Sequence, residues 1–453
     1  MSPHYTKIAA GRNVWQVVAL RTAITITGLF LVAQTLVEGA VEYPSRPPSP
    51  GKLGTMHYHD PTGIKVGSDY YVYGTHGAPT HKSSDLITWR LTGFAIPNVP
   101  PAAKLHVPKG HKVWAPDILR IGRTYRLYYC YSQFGTRNSC IGFVESASPA
   151  GPFRERGLVF KTLNTDRDTS TNALDPNVFI DTRGKHWMAY GSYFGGLCIM
   201  ELNPRTGKPL KAGQGKTLAL RAPRSGGIEA PHIIYHPGFR RYYLFVSYGQ
   251  LATTYNVRVG RSTKPDGPYL DHRGKKMADR NDDGLKILNS YAFSGSPGWM
   301  GPGHNGIIRD GRDYYMVHHA RDAKKVPWLH VRKILWTNAG WPIVSPQRYA
   351  GEKLQPVPPS LIPGRWEQIV LEPKDNRKQV AKPLKLLPGG DIAGGGRWRF
   401  TRPAALRLAW SKTRLCIVKL LPAWDWENDR ATLVYTGLSL SGKAVWGKRI
   451  GEK

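Results

Sequence analysis

Residues 59–64, His-Asp-Pro-Thr-Gly-Ile, decide the fold together with the aromatic run Tyr-Tyr-Val-Tyr-Gly at residues 70–74. An acid before a proline is a good strand opener, because Asp favours turns and Pro is tolerated as the first residue of a strand. The aromatic run after the intervening turn is typical of a second strand. The stretch therefore predicts a β-hairpin with a polar side chain at its entrance.

This unit occurs five times along the chain. The other four copies are residues 114–118 with 125–129, 174–179 with 187–190, 229–233 with 242–245, and 303–307 with 314–317. Their polar openers, Asp60, Asp117, Asp175, Glu229 and His304, are separated by 57, 58, 54 and 75 residues. A repeat of this size with two or more strands per unit predicts a β-propeller, and five units predict five blades. The long fourth spacing indicates an inserted loop, which we expect around residues 286–300.

Residues 351–453 have a different pattern. Apolar and aromatic runs predict strands at 365–370, 396–400, 405–410, 415–420, 431–436 and 444–449, without the propeller period. The sequence thus predicts an all-β protein, with a five-bladed β-propeller over residues 45–350. A small C-terminal β-barrel or sandwich domain follows over residues 351–453.

Residues 1–44 form a targeting segment and the start of a linker. Lys7, Arg12 and Arg21 precede an uncharged apolar run at residues 22–37, which is the order of a signal sequence. Small residues at 37–40 offer a cleavage site, and the proline-rich residues 44–50 predict a stiff linker. We expect a secreted, extracellular protein; an uncleaved signal anchor that holds the protein on a membrane is the alternative.

The charge of the chain is +33, from 64 Lys and Arg against 31 Asp and Glu. The excess is spread along the sequence, since residues 351–453 hold 19 basic and 9 acidic residues. Nucleic-acid binders concentrate charge in a patch or arm, so this distribution argues against a nucleic-acid partner. A solvated basic surface remains possible, as does adhesion to an anionic polymer such as pectin.

Four cysteines, Cys130, Cys140, Cys198 and Cys416, are too few for a disulfide scaffold and lack metal-site spacing. Cys130 and Cys140 flank a predicted hairpin. They are either bridged or two buried thiols, and the sequence leaves both readings open.

The blade openers suggest a chemistry. First strands of a propeller line its channel, so Asp60, Asp175, Glu229 and His304 should share one pocket at its mouth. Glycoside hydrolysis needs a protonated and an ionised carboxyl group, and a third acid can keep the first protonated. Strict strand alternation, however, would turn Glu229 away and bring Asp117 to the same face as the two aspartates. A bulge in the fourth blade would restore Glu229 to the pocket.

Several motifs resemble those of glycoside hydrolase family 43 arabinanases. They are residues 59–61, 114–117, 172–177, 227–231, 259–262, 267–269, 301–305 and 340–342, with residues 424–428 and 444–449 resembling the C-terminal β-domain of long arabinanases. The resemblance implies an endo-acting, inverting hydrolase of 1,5-α-L-arabinan, a polysaccharide attached to pectin. It further implies that Asp60 is the general base, Glu229 the general acid, and Asp175 the group that adjusts the pKa of Glu229.

The resemblance also implies a calcium ion in the channel, held through His319 and waters. From the residues alone, His319 is better read as a packed channel histidine, because calcium prefers oxygen ligands. The expected sugar contacts are Trp114, Phe134, Asn172, Ser192 and His304. Trp114 and Phe134 offer flat apolar faces to a furanose ring, and propeller core is the alternative for both.

Two other functions stay open at this stage. One is an exo-acting α-L-arabinofuranosidase or β-xylosidase with the same three acids, which a closed pocket would favour over an open groove. The other is a non-catalytic, cationic glycan-binding propeller, which loss of an acid would have favoured. We expect a monomer in each case.

Overall fold

The computed structural model describes residues 40–48, 55–222, 226–280, 282 and 284–451. The predicted apolar targeting run at residues 22–37, and with it the choice between signal and anchor, lies outside these residues. Within them, no helix is long and apolar enough to cross a membrane. The longest helix there is the six-residue α1, Pro101–His106, so strands dominate the described chain.

In the described residues the propeller consists of five four-stranded antiparallel meanders. Blade 1 comprises β1 (Thr62–Val66), β2 (Asp69–Tyr73), β3 (Pro79–Ser83) and β4 (Arg90–Phe94). Blade 2 comprises β5 (Val113–Ile121), β6 (Thr124–Ser132), β7 (Ser139–Ser146) and β8 (Arg154–Thr162). Blade 3 comprises β9 (Asn177–Ile180), β10 (His186–Tyr190), β11 (Leu197–Leu202) and β12 (Lys216–Ala219).

The last two blades complete the ring and confirm the predicted five-bladed fold. Blade 4 comprises β13 (Ile228–His236), β14 (Arg241–Tyr248), β15 (Asn256–Ser262) and β16 (Leu285–Leu288). After the short β17 (Tyr291–Ala292), blade 5 comprises β18 (Met300–Asp310), β19 (Asp313–Arg321), β20 (Pro327–Trp336) and β21 (Pro342–Val344).

The first strands of the blades contact one another in chain order, and β18 returns to contact β1. They therefore line a central channel. An apolar cluster fills each gap between neighbouring blades, so every blade buries both of its faces. The ring closes where Tyr58 N donates to Pro327 O at 3.1 Å and Leu329 N donates to Met56 O at 2.9 Å. The segment before blade 1 is thus tied to the third strand of blade 5.

Every blade has a kink where its first strand enters the channel. The residue before a proline has a left-handed φ in each of the five copies: Asp60 (48°), Ala115 (37°), Asp175 (53°), Ala230 (55°) and Gly301 (52°). In β5, β13 and β18 the pairing register shifts at this point. Such bulges re-aim the preceding side chain, and the required bulge in blade 4 is present between Glu229 and His232.

The bulge in β5 explains the position of Asp117, which follows that bulge and lies deeper in the channel. Its carboxylate accepts hydrogen bonds from Thr62 Oγ1 (2.5 Å), Val178 N (2.7 Å) and Asn177 Nδ2 (3.0 Å). These donors belong to blades 1 and 3, so Asp117 joins three consecutive blades. The alternation argument that placed it on the same face as Asp60 and Asp175 is wrong, because it ignored the extra residue in β5.

The C-terminal domain is a seven-stranded half-barrel with strand order β24-β22-β29-β28-β27-β26-β25. Its strands are β22 (Gly364–Val370), β24 (Lys382–Leu386), β25 (Arg397–Thr401), β26 (Ala405–Ala409), β27 (Leu415–Asp425), β28 (Arg430–Ser439) and β29 (Ala444–Arg449). Short 3₁₀ turns occur at Pro359–Leu361 and Pro388–Gly390. The concave face is filled by apolar side chains around Trp366 and Tyr435, which confirms the predicted small β-domain.

The half-barrel packs directly on the propeller within one compact unit. Strand β23 (Gln379–Val380) pairs in parallel with β17. Lys448 is fully buried and lies 2.9 Å from Asp425 and 3.0 Å from Glu427. Gln347 of the segment after blade 5 donates to Glu427 Oε2 at 2.7 Å, so the buried ion-pair network continues into the preceding domain.

Two expectations about local structure are corrected or settled. Residues 285–288 form the outer strand of blade 4, so the predicted loop at 286–300 is shorter than expected and begins after that strand. Cys130 and Cys140 are free, buried thiols. They point to opposite faces of blade 2, since Cys140 pairs with Tyr131 and Cys130 lies in a different apolar cluster.

Candidate active site

The channel mouth holds three carboxyl groups from three blades. Asp60 and Asp175 stand just before β1 and β9, and Glu229 is the second residue of β13. His304 of β18 lies between the aspartates, with Nδ1 3.6 Å from Asp60 Oδ1 and 3.9 Å from Asp175 Oδ2. Ala230 N donates to Asp175 Oδ2 at 3.0 Å, which places Asp175 against the residue that follows Glu229. The predicted convergence of these four side chains is therefore found.

The left-handed backbone conformation at these positions helps to orient the acidic side chains toward the channel mouth. Asp60 and Asp175 occupy the kinked position itself, whereas Glu229 precedes it. A positive φ is uncommon for residues other than glycine and costs about 1–3 kcal/mol where the surroundings enforce it. The proline that follows removes one backbone donor at the bulge, so no N–H is left unpaired at that residue.

Asp60 is surrounded by donors. Thr75 Oγ1 donates to its Oδ2 at 2.5 Å, and His59 Nδ1 lies 2.7 Å from the same oxygen. Arg321 Nη2 lies 2.7 Å from His59 Nε2. Because a guanidinium only donates, Nε2 must accept and the His59 proton resides on Nδ1, facing the carboxylate.

The protonation of Asp60 follows from these contacts. Burial alone would raise the pKa of Asp60, but the imidazoles of His59 and His304 together hold it well below its usual range. Asp60 is thus an ionised carboxylate near neutral pH, the form that a general base requires.

Glu229 has two hydroxyl partners. Tyr255 donates to Oε1 at 2.6 Å and Ser192 donates to Oε2 at 2.7 Å. Ser192 is positioned in turn by Asn172, whose side-chain oxygen accepts the Ser192 backbone N–H at 2.9 Å. Burial raises the pKa of Glu229, and the two donated hydrogen bonds oppose that shift without cancelling it.

Asp175 has fewer donors and a stronger shift. Burial, and then the negative charges of Glu229 and Asp60, raise the pKa of Asp175 well above its usual range. Carboxyl groups this close titrate as a pair rather than singly. The pair Asp175–Glu229 therefore keeps a proton at a pH where Asp60 has lost its own. Acid–base catalysis needs such a combination of a protonated and an ionised carboxyl group at the same pH.

His319 lies directly behind Asp60. It is fully buried, stacks on His59 with ring centroids 4.4 Å apart, and lies parallel to Tyr255 at 5.9 Å. Its Nδ1 faces Asp60 N at 3.3 Å and Asp60 Oδ1 at 3.6 Å, while its Nε2 is a buried atom without a protein partner among the described residues. Burial lowers the pKa of His319 well below its usual value, so the ring is neutral.

The predicted sugar contacts are placed unevenly. Asn172 and Ser192 are buried beside Glu229, and His304 lies between the acids. Trp114 is half-buried and packs partly against the apolar cluster of blades 2 and 3. Phe134 is 87% exposed on the turn between β6 and β7, so the core alternative is wrong for this ring. This turn and the Trp114 end of β5 lie at the same end of blade 2.

Four side chains around the acids escaped the sequence analysis as site residues: His59, Thr75, Tyr255 and Arg321. His59 adjoins the Asp-Pro motif, which was a usable signal. Tyr255 precedes β15 and contacts Glu229 within blade 4, whereas Arg321 ends β19 and reaches His59 across a blade boundary. A propeller whose channel mouth holds one ionised carboxyl group and a pair of carboxyl groups that retains a proton has the groups that an acid–base glycoside hydrolase needs.

Comparison with known proteins identifies the family. The model of glycosyl hydrolases family 43 matches residues 53–342, and a model described as a C-terminal lipocalin-like domain matches residues 346–447. The chain therefore belongs to glycosyl hydrolases family 43 and is a glycoside hydrolase.

Individual relatives span one or both domains. An extracellular endo-α-(1→5)-L-arabinanase of Thermotoga petrophila is 33% identical over 87% of this chain and 94% of its own length. The crystal structure of an endo-1,5-α-L-arabinanase from that organism superposes with a TM-score of 0.82 at 31% identity, covering 89% of this chain and 100% of its own. An extracellular exo-α-(1→5)-L-arabinofuranosidase of Cellvibrio japonicus is 34% identical over 63% of this chain and 86% of its own length.

Proposed function

We propose that this protein is an extracellular, inverting endo-1,5-α-L-arabinanase, with Asp60 as general base and Glu229 as general acid. The observation that carries the proposal is the difference in the partners of the three carboxyl groups at the channel mouth. Imidazoles hold Asp60 ionised, whereas burial and mutual repulsion keep a proton on the Glu229–Asp175 pair. Asp175 raises the proton affinity of the pair through its charge.

The roles follow from the chemistry of glycosidic cleavage. A general acid protonates the leaving oxygen while a general base activates water on the opposite face of the sugar. His59, held by Arg321, positions Asp60 for the water. Tyr255 and Ser192 orient Glu229 toward the scissile bond, and Asn172 fixes Ser192. His304 lies between the two sides and is a candidate contact for the sugar bound at the acids.

Trp114 and Phe134 are the proposed apolar contacts for further sugar units. Phe134 is free to cover a furanose ring because it is exposed near the mouth, and Trp114 offers its uncovered half. Single substitutions to alanine should raise KM for arabinan more than they lower kcat. An unchanged KM in both variants would remove these rings from the substrate path.

Endo action is proposed because two relatives that match across both domains are called endo-arabinanases. A match to the propeller alone does not discriminate, since an endo-arabinanase and an exo-arabinofuranosidase each cover 63% of this chain. The acting form is proposed to be a monomer outside the cell, with arabinan linked to pectin as its natural polymer. Both named relatives are called extracellular.

A calcium ion is proposed at His319. The side-chain set His59, Asp60 and His319 offers ligand atoms that all lie within 4.8 Å of one another. His59 is already committed to Arg321 and Asp60, which leaves His319 Nε2 as the open nitrogen. Because Nδ1 accepts the Asp60 backbone N–H, the neutral ring carries its proton on Nε2, so His319 would hold the ion through a water of its hydration shell rather than by a direct bond, in keeping with the preference of calcium for oxygen. Such an ion would add positive charge beside Asp60 and favour its ionised form.

The calcium proposal is tested without activity. Chelation should lower the melting temperature of the wild type, and added calcium should restore it, because a ligand of the native state stabilises that state. His319→Ala should melt at one temperature under both conditions. A wild type whose melting temperature and metal content do not respond to chelator would overturn the proposal.

The catalytic proposal is tested by digestion of linear 1,5-α-arabinan with product sizes followed over time. The wild type should release short oligosaccharides early. NMR should show that the anomeric configuration of these products is inverted relative to the substrate. Glu229→Gln should lose at least about three orders of magnitude in rate, within the range that acid–base groups contribute. Glu155→Gln, on the exposed strand β8, is the matched control and should be unaffected.

The other outcomes discriminate the alternatives. Arabinose as the sole early product would make the protein an exo-acting arabinofuranosidase, and release from xylosides alone a β-xylosidase. Binding to arabinan without hydrolysis would make it a cationic glycan-binding propeller.

A further inference from the structure

The convex face of the C-terminal half-barrel carries a row of arginines. Along β25 the side chains alternate, so Arg397 and Arg399 are exposed while Trp398 and Phe400 turn toward the apolar core. Arg407 of β26 is exposed and pairs directly with Arg399 across the strands. We call Arg397, Arg399 and Arg407 the arginine face.

These arginines are not neutralised by the fold. Arg397 has an exposed partner, Asp391, at 3.4 Å. Arg399 and Arg407 have no ion pair with any acid among the described residues, although they oppose each other across the ladder. Like charges directly opposite destabilise a sheet, so the protein tolerates an unfavourable pair that an anion would relieve.

The arginine face borders a groove of about 640 Å³ at the edge of the sheet. It is also lined by Gly389 and Gly390, and by the strand residues Trp398 and Phe400, whose rings pack against the apolar core. The groove runs along β25, so a bound chain would lie parallel to a line of positive charge.

Protection of the sheet edge explains only part of this pattern. Charged side chains on an edge strand discourage pairing with other chains, and β25 is an edge strand. Arg397 and Arg399 fit that purpose. Arg407 does not, because β26 is the second strand and both of its edges are already paired.

The spacing indicates the chemistry of the occupant. Residues two apart on a strand lie about 7 Å apart, and opposite residues on neighbouring strands about 5 Å apart. A guanidinium matches the planar, two-oxygen geometry of a carboxylate. The aromatic rings of β25 face inward, so they are not presented for stacking on nucleotide bases, which single-stranded nucleic acids require.

We propose that the arginine face binds a carboxylated polysaccharide and so holds the enzyme on an anionic polymer. This assignment goes beyond the proposed function, because arabinan is neutral and the channel mouth is lined by acids. It accounts for part of the charge of +33, which hydrolysis of a neutral polymer does not use.

The test is affinity electrophoresis of the full chain in gels containing polygalacturonate at low ionic strength. The wild type should be retarded, and retardation should vanish with added salt or in fully methyl-esterified polymer. The double variant Arg399→Gln with Arg407→Gln should bind about tenfold more weakly, since an exposed pair contributes roughly a factor of three. The variants keep their shape on an exposed face and should hydrolyse soluble arabinan at the wild-type rate.

The matched control removes the same charge elsewhere. Arg123 and Arg312 are exposed on the turns that join the first two strands of blades 2 and 5. The double variant Arg123→Gln with Arg312→Gln should keep wild-type binding to polygalacturonate. An equal loss of affinity for polygalacturonate in both double variants would show that diffuse charge attracts the polymer, and it would overturn the proposal. Tighter binding of duplex DNA or of phosphatidylserine vesicles by the same two arginines would overturn the choice of occupant.

Discussion

Replacement of Tyr255 by phenylalanine tests the electrostatics of the site with little change in packing. The ring is fully buried and lies parallel to His319, and Gly303 leaves room for it, since a Cβ on that glycine would lie 2.4 Å from the ring. Phenylalanine keeps these contacts. What it removes is the hydroxyl that donates to Glu229 Oε1 at 2.6 Å.

The magnitude follows from that single hydrogen bond. Burial and the nearby Glu229 raise the pKa of Tyr255 well above its usual value, so the hydroxyl is always a donor. A hydrogen bond to a charged group contributes about 1.5–3 kcal/mol, and 1.36 kcal/mol corresponds to one pKa unit. Its loss destabilises the ionised form of Glu229. We therefore expect the pKa of the Glu229–Asp175 pair to rise by about one to two units.

The assay is the pH dependence of kcat/KM on linear arabinan. The basic limb reports loss of the proton from the general acid, so it should move to higher pH in Tyr255→Phe while the acidic limb stays in place. Tyr131→Phe is the control, because its buried hydroxyl donates to Gly110 O at 2.6 Å in the core of blade 2. A basic limb that stays in place or moves to lower pH would refute the assignment of Tyr255 as a partner of the catalytic acid.

Three further substitutions probe the remaining parts of the channel. Asp175→Asn removes the like charge that holds a proton on the pair, so the basic limb of the same profile should move to lower pH; a shift to higher pH would contradict the pairing. His59→Ala removes an imidazole that holds down the pKa of Asp60, so the acidic limb should move to higher pH; an unchanged limb would show that His59 does not act on the base. Asp117→Ala leaves donors from blades 1 and 3 unpaired, so the free energy of unfolding in urea should fall by roughly 3 kcal/mol, with kcat of the folded protein retained. Loss of kcat in a stable Asp117 variant would place that residue in the catalytic machinery instead.

Much of the propeller was predictable because its signals are local. Each blade repeats a polar opener, a short apolar strand and an aromatic strand, and these inner strands are where burial demands a pattern. The outer strands share no such pattern: β4 has no buried residue, whereas β16 and β21 are buried throughout. Alternation alone does not predict the kinks, and the proline that follows each of them is the one mark they leave in the sequence.

The residues of the site likewise fall into those that the repeat marks in the sequence and those that it does not. Asp60, Asp175, Glu229 and His304 could be brought together from the sequence, because propeller topology places the entrances of first strands at one mouth. Tyr255 and Arg321 could not, since their contacts depend on the direction of side chains that stand outside the repeated motif. The hydroxyl of Thr75, which follows Gly74 at the end of β2, belongs to the same group.

Position in the repeat does not determine what an acid does in this protein. Asp60, Asp117 and Asp175 open three successive blades next to a proline, yet each has a different role. Asp60 is ionised because imidazoles surround it, whereas Asp175 shares one proton with Glu229 because the two carboxyl groups repel each other when both are charged. Asp117, placed one step beyond the bulge, accepts three hydrogen bonds and joins blades. Repetition supplies the positions, and the neighbours contributed by other blades supply the chemistry.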